Sequence, residues 1–310
     1  MSREIILVTG ACGQIGTALI PLLRELYGRD YVIASDLKAS GEVGKLFENL
    51  DATDGAALSA IISKYGVTQI YHLAAVLSAK AEADPVWAWN LNMTSLLNIL
   101  EAGRIHNLDK VFIPSSIAVF GETAPDFNTP QKTFLDPATI YGVSKVAGEK
   151  LSYYYHRKYN LDVRSLRYPG IVSYQSLPGG GTTDFAVDMY LKAVSQQNYI
   201  CYLKEDTRLP MMYIKDALRA SLELMEASEE KIKIRSSYNL AGFSLTPKEL
   251  CDSINLYFPE FSCDFQPDFR QVIAESWPKS IDDAQARADW NWKPEFDLHS
   301  MTEDMVKYLS

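Results

Sequence analysis

The chain has 310 residues, 47% of them hydrophobic, so it can bury a large core as one domain or as a main domain with a lobe. Its formal net charge of −9 argues against nucleic-acid and anionic-membrane partners, and no apolar run is long enough to span a bilayer. Its four cysteines show no C-x-x-C spacing, and its four histidines never stand at i, i+4. We therefore expect no disulfide framework and no metal site. Since no signal peptide precedes the first strand, we expect a reduced, cytosolic protein.

Short apolar runs alternate with longer helical patterns through the first half of the chain. The pattern predicts strands at 5–9, 31–35, 69–73, 110–115 and 162–168. It predicts helices at 14–26, 54–65, 85–106 and 140–159. Strands joined by helices in this way are typical of a parallel sheet that is covered on both faces.

The pattern becomes irregular after residue 168. The segment 177–181, rich in glycine and proline, predicts a break before a helix at 183–196. Short strands are expected at 199–202, 211–214 and 238–240, and Thr246-Pro247-Lys248-Glu249 predicts the capped start of a helix. We therefore predict a doubly wound α/β fold with a smaller, interleaved C-terminal lobe. Residues 1–170 and about 211–240 would form the dinucleotide-binding domain, and about 171–210 and 241–310 the substrate-binding lobe.

A glycine-rich turn after the first predicted strand is a candidate phosphate-binding loop. Gly10, Gly13 and Gly16 form G-x-x-G-x-x-G, and Gln14 and Ile15 begin the next predicted helix. Glycine permits the tight turn and lets backbone N–H groups approach a pyrophosphate, while the helix N-terminus favours the phosphate charge. The alternative is an ordinary turn between core elements.

Asp36 ends the second predicted strand, 20 residues after Gly16, and is followed by Leu37 rather than by an arginine. A carboxylate there accepts hydrogen bonds from both adenosine ribose hydroxyls and repels a 2′-phosphate, so we expect NAD rather than NADP. The alternative for Asp36 is a solvated turn residue. Further candidates for the surroundings of the cofactor are Asp51, Ala52, Leu73, Ala74 and Ala75.

A tyrosine and a lysine one helical turn apart are the candidate catalytic pair. Tyr141 and Lys145 share one helix face, and a nearby ammonium favours a phenolate, so we expect Lys145 to lower the pKa of Tyr141 from about 10. A hydroxyl of Ser115 or Ser116, after the fourth predicted strand, would hold the substrate oxygen against Tyr141. The alternatives are an exposed Tyr/Lys pair and serines that merely form a turn.

These motifs together resemble the extended short-chain dehydrogenase/reductase family over nearly the whole chain. The resemblance rests on the three glycines, Asp36, Leu73-Ala74-Ala75, Asn90, Ser115-Ser116, Tyr141-x-x-x-Lys145 and Leu166-Arg167-Tyr168-Pro169. It implies a Rossmann fold, bound NAD, and hydride transfer with Tyr141 as the base, Lys145 as its partner and Ser116 or Ser115 as the orienting hydroxyl. It also implies that Asn90 supports the active site and that Tyr168, Pro169 and Ile171 contact the cofactor.

The stretch from Arg167 to Val187 resembles the threonine-oxidising branch of the family. This likeness implies oxidation of L-threonine at C3 to 2-amino-3-oxobutanoate and a homodimer formed through the two long helices. By analogy, backbone N–H groups around Gly180 and the Thr182 hydroxyl bind the substrate carboxylate. The full set of expected substrate contacts is Ser78, Ser116, Tyr141, Gly180, Thr182 and Trp277.

Two other functions remain open. A nucleotide-sugar epimerase or dehydratase would use the same Tyr/Lys pair and a tightly held NAD. Such enzymes usually carry an asparagine soon after the R-Y-F segment, whereas this chain has none until Asn198. An NAD-sensing binding protein on the same scaffold would not need a tuned phenol.

Overall fold

The computed structural model describes residues 4–38, 44, 46–175, 177 and 179–310, so Pro178 of the predicted break lies outside the described residues. The strands are β1 (Ile6–Thr9), β2 (Val32–Asp36), β3 (Phe47–Asn49), β4 (Gln69–His72), β5 (Lys110–Phe112), β6 (Ser115–Ser116), β7 (Val163–Arg164), β8 (Leu166–Tyr168), β9 (Gly170–Val172), β10 (Tyr199–Cys201), β11 (Leu209–Tyr213), β12 (Tyr238–Asn239), β13 (Phe243–Leu245) and β14 (Cys263–Phe265). The helices are α1 (Gln14–Tyr27), α2 (Gly55–Tyr65), α3 (Ser78–Ala83), α4 (Pro85–Ile105), α5 (Ile140–Tyr159), α6 (Phe185–Val194), α7 (Ile214–Glu226), α8 (Pro247–Asn255), α9 (Phe269–Glu275), α10 (Ala284–Trp290) and α11 (Leu298–Leu309).

Six parallel strands form the main sheet in the order β3-β2-β1-β4-β5-β7. Thr9 at the end of β1 lies opposite Ser35 of β2 and His72 of β4. The chain winds outward from β1 to β3 and then crosses back to β4. The crevice at the carboxyl ends of β1 and β4 is therefore the position where doubly wound sheets bind ligands. The predicted doubly wound α/β fold is confirmed.

The main sheet is buried on both faces, as its apolar strands predict. Along β1, Ile6 and Val8 pack into one hydrophobic core, whereas Leu7 packs into a second core on the opposite face. This alternation follows from the two-residue period of a strand. The first core continues through α6, α8 and α11 into the C-terminal part, so one apolar interior joins the two parts of the chain.

Three small sheets lie beside the main sheet, in the orders β12-β8-β6, β13-β11-β9 and β10-β14. In the second of them, β11 pairs in parallel with β9 and antiparallel with β13. Pieces that are distant in sequence therefore interleave, as expected. The predicted boundaries between a dinucleotide domain and a substrate lobe stay a prediction.

Two predicted strands are discontinuous. The strand expected at 110–115 divides into β5 and β6 at Pro114, which has no N–H to donate to a ladder. The strand expected at 162–168 divides at Ser165, because β7 pairs with β5 of the main sheet whereas β8 pairs with β6 and β12. These breaks carry Ser115 and Ser116 out of the main sheet. The capped helix start at Thr246 is confirmed, with both hydrogen bonds of the capping box present.

In the described part of the chain, no helix is both long and apolar enough to cross a membrane.

Candidate active site

A cleft of about 280 Å³ opens at the carboxyl ends of β1 and β4 and extends from the glycine-rich turn to the C-terminal lobe. It is lined by residues from both halves of the chain. The predicted site residues that line it are Gly10, Gly13, Gln14, Ile15, Gly16, Leu73, Ala75, Ser78, Ser115, Ser116, Tyr141, Lys145, Tyr168, Pro169, Ile171, Thr182 and Trp277. The fold thus brings these predicted cofactor, catalytic and substrate residues into one site, whereas other predicted residues lie outside its lining.

The glycine-rich turn has no room for a side chain at Gly10 or Gly16. Gly10 has φ +72°, and a Cβ on it would lie 2.5 Å from the backbone nitrogen of Ala74. A Cβ on Gly16 would lie 2.4 Å from the carbonyl oxygen of Gly10. Gly13 caps α1 without a side-chain acceptor, so the helix N-terminus presents its N–H groups to the cleft. This cradle fits the pyrophosphate of a dinucleotide.

Asp36 stands at the end of β2, beside the glycine-rich turn. Its carboxylate accepts hydrogen bonds from the backbone N–H groups of Cys12 at 2.9 Å and Leu37 at 2.7 Å, which fixes its position next to the turn. This placement fits the expected contact with an adenosine ribose. The Leu37 side chain itself is exposed.

Asp51 and Ala52 lie outside the cleft lining. Asp51 accepts hydrogen bonds from the N–H and the hydroxyl of Thr53 at 2.9 and 2.7 Å, and Ala52 is buried. Ala74 lines a smaller chamber next to the cleft.

Tyr141, Lys145 and Ser116 meet near the middle of the cleft. Thr139 caps α5 by accepting a hydrogen bond from the N–H of Gly142 at 3.0 Å, which places Tyr141 in the first turn. The Lys145 Nζ lies 5.4 Å from the centroid of the Tyr141 ring and donates to the carbonyl oxygen of Pro114 at 2.7 Å. Ser116 lines the cleft beside Tyr141, and its hydroxyl acts to lower the pKa of the phenol. The i, i+4 spacing therefore aligns the lysine with the phenol as predicted.

The predicted effect on the Tyr141 phenol is wrong for the cofactor-free chain. Burial raises the pKa of Tyr141 to about 12, and the hydroxyl of Ser116 lowers it only in part. Burial also lowers the pKa of Lys145 to about 8, opposed by the charge of Glu149. Desolvation therefore outweighs the attraction between the ammonium and the phenolate.

The two candidate serines have different partners. Ser115 is buried, and its hydroxyl donates to the Glu149 Oε1 at 2.7 Å. Ser116 faces the cleft beside the phenol of Tyr141 and caps the following turn by accepting from the N–H of Ala118 at 3.2 Å. The geometry thus favours Ser116 over Ser115 as the hydroxyl that faces a substrate.

The substrate end of the cleft combines two hydroxyls and an indole. The Ser78 Oγ lies 3.0 Å from the Thr182 Oγ1, and Trp277 is buried at the same end. The role expected for the N–H groups around Gly180 stays a prediction, and in the substrate-free chain two of these groups have a partner within the protein. Gly180 and Gly181 both donate to the Asp184 Oδ2 at 2.8 Å, so a carboxylate of the chain already occupies these donors.

Asn90 is exposed on α4 and is not brought to the cleft. Two positions further, Asn92 accepts from the N–H of Val76 at 2.8 Å and donates to the Val76 carbonyl at 3.2 Å, which fixes the segment after β4.

Tyr168 lines the cleft, but its hydroxyl donates to the Ala217 carbonyl of α7 at 3.3 Å. Its hydroxyl therefore serves the packing of α7 rather than the cofactor.

Sequence reasoning missed Asn92, Glu149 and Asp184. Glu149 follows Lys145 at i, i+4, and this spacing was the available signal. Asp184 directly precedes α6 and lines the cleft. Within the residues that the structure describes, no group of three or more His, Cys, Asp or Glu side chains is arranged to hold a metal ion.

The comparisons with known proteins agree with this geometry. Residues 6–241 match the NAD dependent epimerase/dehydratase family, and the chain belongs to this family. An uncharacterized epimerase/dehydratase of Staphylococcus haemolyticus is 45% identical over 311 residues, which cover 99% of this chain and 98% of that protein.

Two solved structures are more informative about the active site. A GalE-like L-threonine dehydrogenase from Cupriavidus necator in its holo form is 51% identical, with a TM-score of 0.96 over 99% of this chain and 100% of that one. A monomeric L-threonine 3-dehydrogenase from a metagenome is 46% identical, with a TM-score of 0.96 over 98% of each chain. The predicted family resemblance and the NAD requirement are confirmed.

Proposed function

We propose that this chain oxidises L-threonine at C3 with NAD, giving 2-amino-3-oxobutanoate, NADH and a proton. The observation that carries the proposal is the meeting of Ser116, Tyr141 and Lys145 between a dinucleotide cradle and a small, partly enclosed substrate end. The likeness to L-threonine dehydrogenases at 46–51% identity over nearly the whole chain supports it. NAD, when bound, accepts the hydride from C3.

The roles of the side chains follow from their contacts. Tyr141 takes the proton of the C3 hydroxyl, and Ser116 orients that hydroxyl through its position beside the phenol. The positive charge of Lys145 opposes the effect of burial on Tyr141 and can bond the nicotinamide ribose. The glycine-rich turn holds the pyrophosphate, and Asp36 selects the unphosphorylated adenosine ribose.

At the substrate end, Ser78 and Thr182 offer hydroxyls to the amino acid, and Trp277 closes the pocket. A pocket with a few placed polar groups and an apolar wall suits a small zwitterion. Asp184 fixes the segment that carries Thr182, because its carboxylate accepts hydrogen bonds from the N–H groups of Gly180 and Gly181.

The test is NADH absorbance with L-threonine, D-threonine, L-serine and UDP-galactose, each with NAD and with NADP. We expect net NADH formation with L-threonine and NAD, and little with the other pairs. UDP-galactose that is converted without net NADH, together with an inert L-threonine, would favour the epimerase alternative instead.

We also propose a homodimer through α4 and α5, which pack side by side. Large apolar side chains are exposed along both helices, among them Val86 and Leu97 of α4 and Val143 and Tyr154 of α5. Exposed apolar side chains on two neighbouring helices favour an interaction surface. In sedimentation, Leu97→Glu should give monomers, whereas Leu26→Glu on α1 should not; a monomeric wild-type chain would contradict the proposal.

The cytosolic location stays a prediction.

A further inference from the structure

A second, small chamber of about 30 Å³ lies behind Lys145, and the proposed chemistry uses only the wall that it shares with the main cleft. It shares Ser115 and Lys145 with the main cleft. Its polar wall is formed by His72 of β4, Ser115 of β6 and Ser165 between β7 and β8, together with Asn92 of α4 and four residues of α5, namely Ser144, Lys145, Glu149 and Ser152. It therefore joins the active-site lysine to a buried polar region beneath α5.

The carboxylate of Glu149 is firmly held in this chamber. Its Oε1 accepts from the Ser115 hydroxyl at 2.7 Å and from the Arg167 Nε at 2.8 Å, and its Oε2 accepts from the Arg167 guanidinium at 2.7 Å. Both members of the ion pair are buried. Three donated hydrogen bonds therefore fix the position of the Glu149 carboxylate inside the chamber.

Lys145 is the lysine that lines this chamber, and its ammonium makes no direct hydrogen bond to a carboxylate among the described contacts. Its Nζ donates to a carbonyl, and Glu149 lies one turn further along the same face of α5. The other titratable groups facing it add no negative charge. Tyr141 is a neutral phenol, the pKa of buried His72 is lowered to about 3 so that it stays neutral, and Arg167 is a cation bound to Glu149.

We propose that Glu149 is a positioning residue for the dehydrogenation: its carboxylate keeps Lys145 positively charged and turns the Ser115 hydroxyl away from the phenol. The inference rests on the proposed function for its effect on the reaction, but the charge on Lys145 is a property of the free chain. Without the charge of Glu149, Lys145 and Arg167 would be two buried cations with no anion between them. Lys145 would then release its proton at lower pH.

The first test is an NMR titration of Lys145 in the cofactor-free protein, labelled with 13C at lysine Cε and assigned by loss of the signal in Lys145→Met. The midpoint for wild type is expected near pH 8, where burial places the pKa of Lys145. In Glu149→Gln we expect it at least about one pH unit lower. Ser152→Ala, which changes the wall of the same chamber without removing a charge, should titrate like wild type. Equal midpoints in wild type and Glu149→Gln would overturn the proposal.

Glu149→Gln leaves Arg167 without a charged partner and can prevent folding. Glu149→Asp keeps the charge and the pairing but withdraws the carboxylate by one methylene, so its Lys145 midpoint should fall by less. If only Glu149→Asp folds, an unchanged midpoint there overturns the proposal.

The second readout is kcat/KM for L-threonine against pH. In Glu149→Gln, the pH at which the profile levels off should fall by the same amount as the NMR midpoint of Lys145. In Glu149→Asp, this pH should return most of the way to the wild-type value. A purely structural role would lower activity at every pH without moving this point. Wild-type protein that does not oxidise L-threonine would refute the proposed function, while the NMR titration would still decide the role of Glu149.

Discussion

The two ends of the cleft are built in different ways. At the cofactor end the backbone forms the site, because Gly10 and Gly16 leave no space for a Cβ against neighbouring main-chain atoms. At the substrate end side chains form the site, through the Ser78–Thr182 hydroxyl pair and the carboxylate of Asp184. Substitutions at the cofactor end should therefore lower both the stability of the fold and the affinity for NAD. Substitutions at the substrate end should change substrate recognition alone.

The largest expected effect lies where the two ends meet. Tyr141→Phe removes the proposed base but keeps the ring, so we expect kcat to fall by about 10³-fold while NAD still binds. Turnover is followed by NADH absorbance and NAD binding by calorimetry. Tyr153→Phe, an exposed position on the same helix, should behave like wild type. Near wild-type turnover in Tyr141→Phe would refute the assigned base.

Gly16→Ala tests the backbone-built end. Its Cβ would meet the Gly10 carbonyl oxygen at 2.4 Å, so the turn must shift at a cost of about 2 kcal/mol in unfolding free energy, with NAD binding lost. Gly13→Ala is the control for unfolding free energy alone, because its nearest contact would be 3.3 Å whereas the residue itself lines the cofactor cradle. Thermal unfolding should separate the two variants, and NAD titration of Gly16→Ala is compared with that of wild type. An unfolding free energy of Gly16→Ala equal to that of wild type would contradict the prediction.

Asp184→Asn tests the side-chain-built end. An amide accepts the N–H groups of Gly180 and Gly181 less strongly than a carboxylate, so the segment carrying Thr182 should loosen. We expect KM for L-threonine to rise by about tenfold, with NAD affinity unchanged. Asp188→Asn, one turn further along α6, should have a smaller effect. A parallel loss of NAD affinity would show that the two ends are not independent.

The last prediction concerns the pH dependence of kcat/KM in the wild-type chain rather than a variant. Below pH 8, each pH unit increases the phenolate fraction of Tyr141 about tenfold, because burial raises its pKa to about 12 in the free chain. Above pH 8 the ammonium of Lys145 is progressively lost, since burial lowers its pKa to about 8. We therefore expect kcat/KM for L-threonine to rise from pH 6 to about 8 and then to level off. A flat profile below pH 8 would contradict both assignments.

The features that could be predicted from the sequence are those determined by residues close to one another in the chain. Strand and helix periods located the main sheet, and the glycine spacing located the cofactor end. The spacing of Tyr141 and Lys145 placed both on one helix face, which the structure confirms. In each case the residues that form the feature lie within one or two elements.

The features that could not be predicted depend on contacts between distant segments. The choice between Ser115 and Ser116 is set by Glu149, 34 positions after Ser115. The partner of the Gly180 N–H in the substrate-free chain is the carboxylate of Asp184, and the raised pKa of Tyr141 follows from its burial. The breaks around β6 and β8 could not be predicted either, because strands of two or three residues are too short to show a periodic pattern in the sequence.

The outermost strands of the main sheet are short. β3 spans Phe47–Asn49 and β7 spans Val163–Arg164, so each edge offers only a few unpaired main-chain groups. A long, flat edge would act as a template on which another molecule extends the sheet, the first step of aggregation. With both edges this brief, the protein is protected against such growth even though its interior is rich in β-forming sequence.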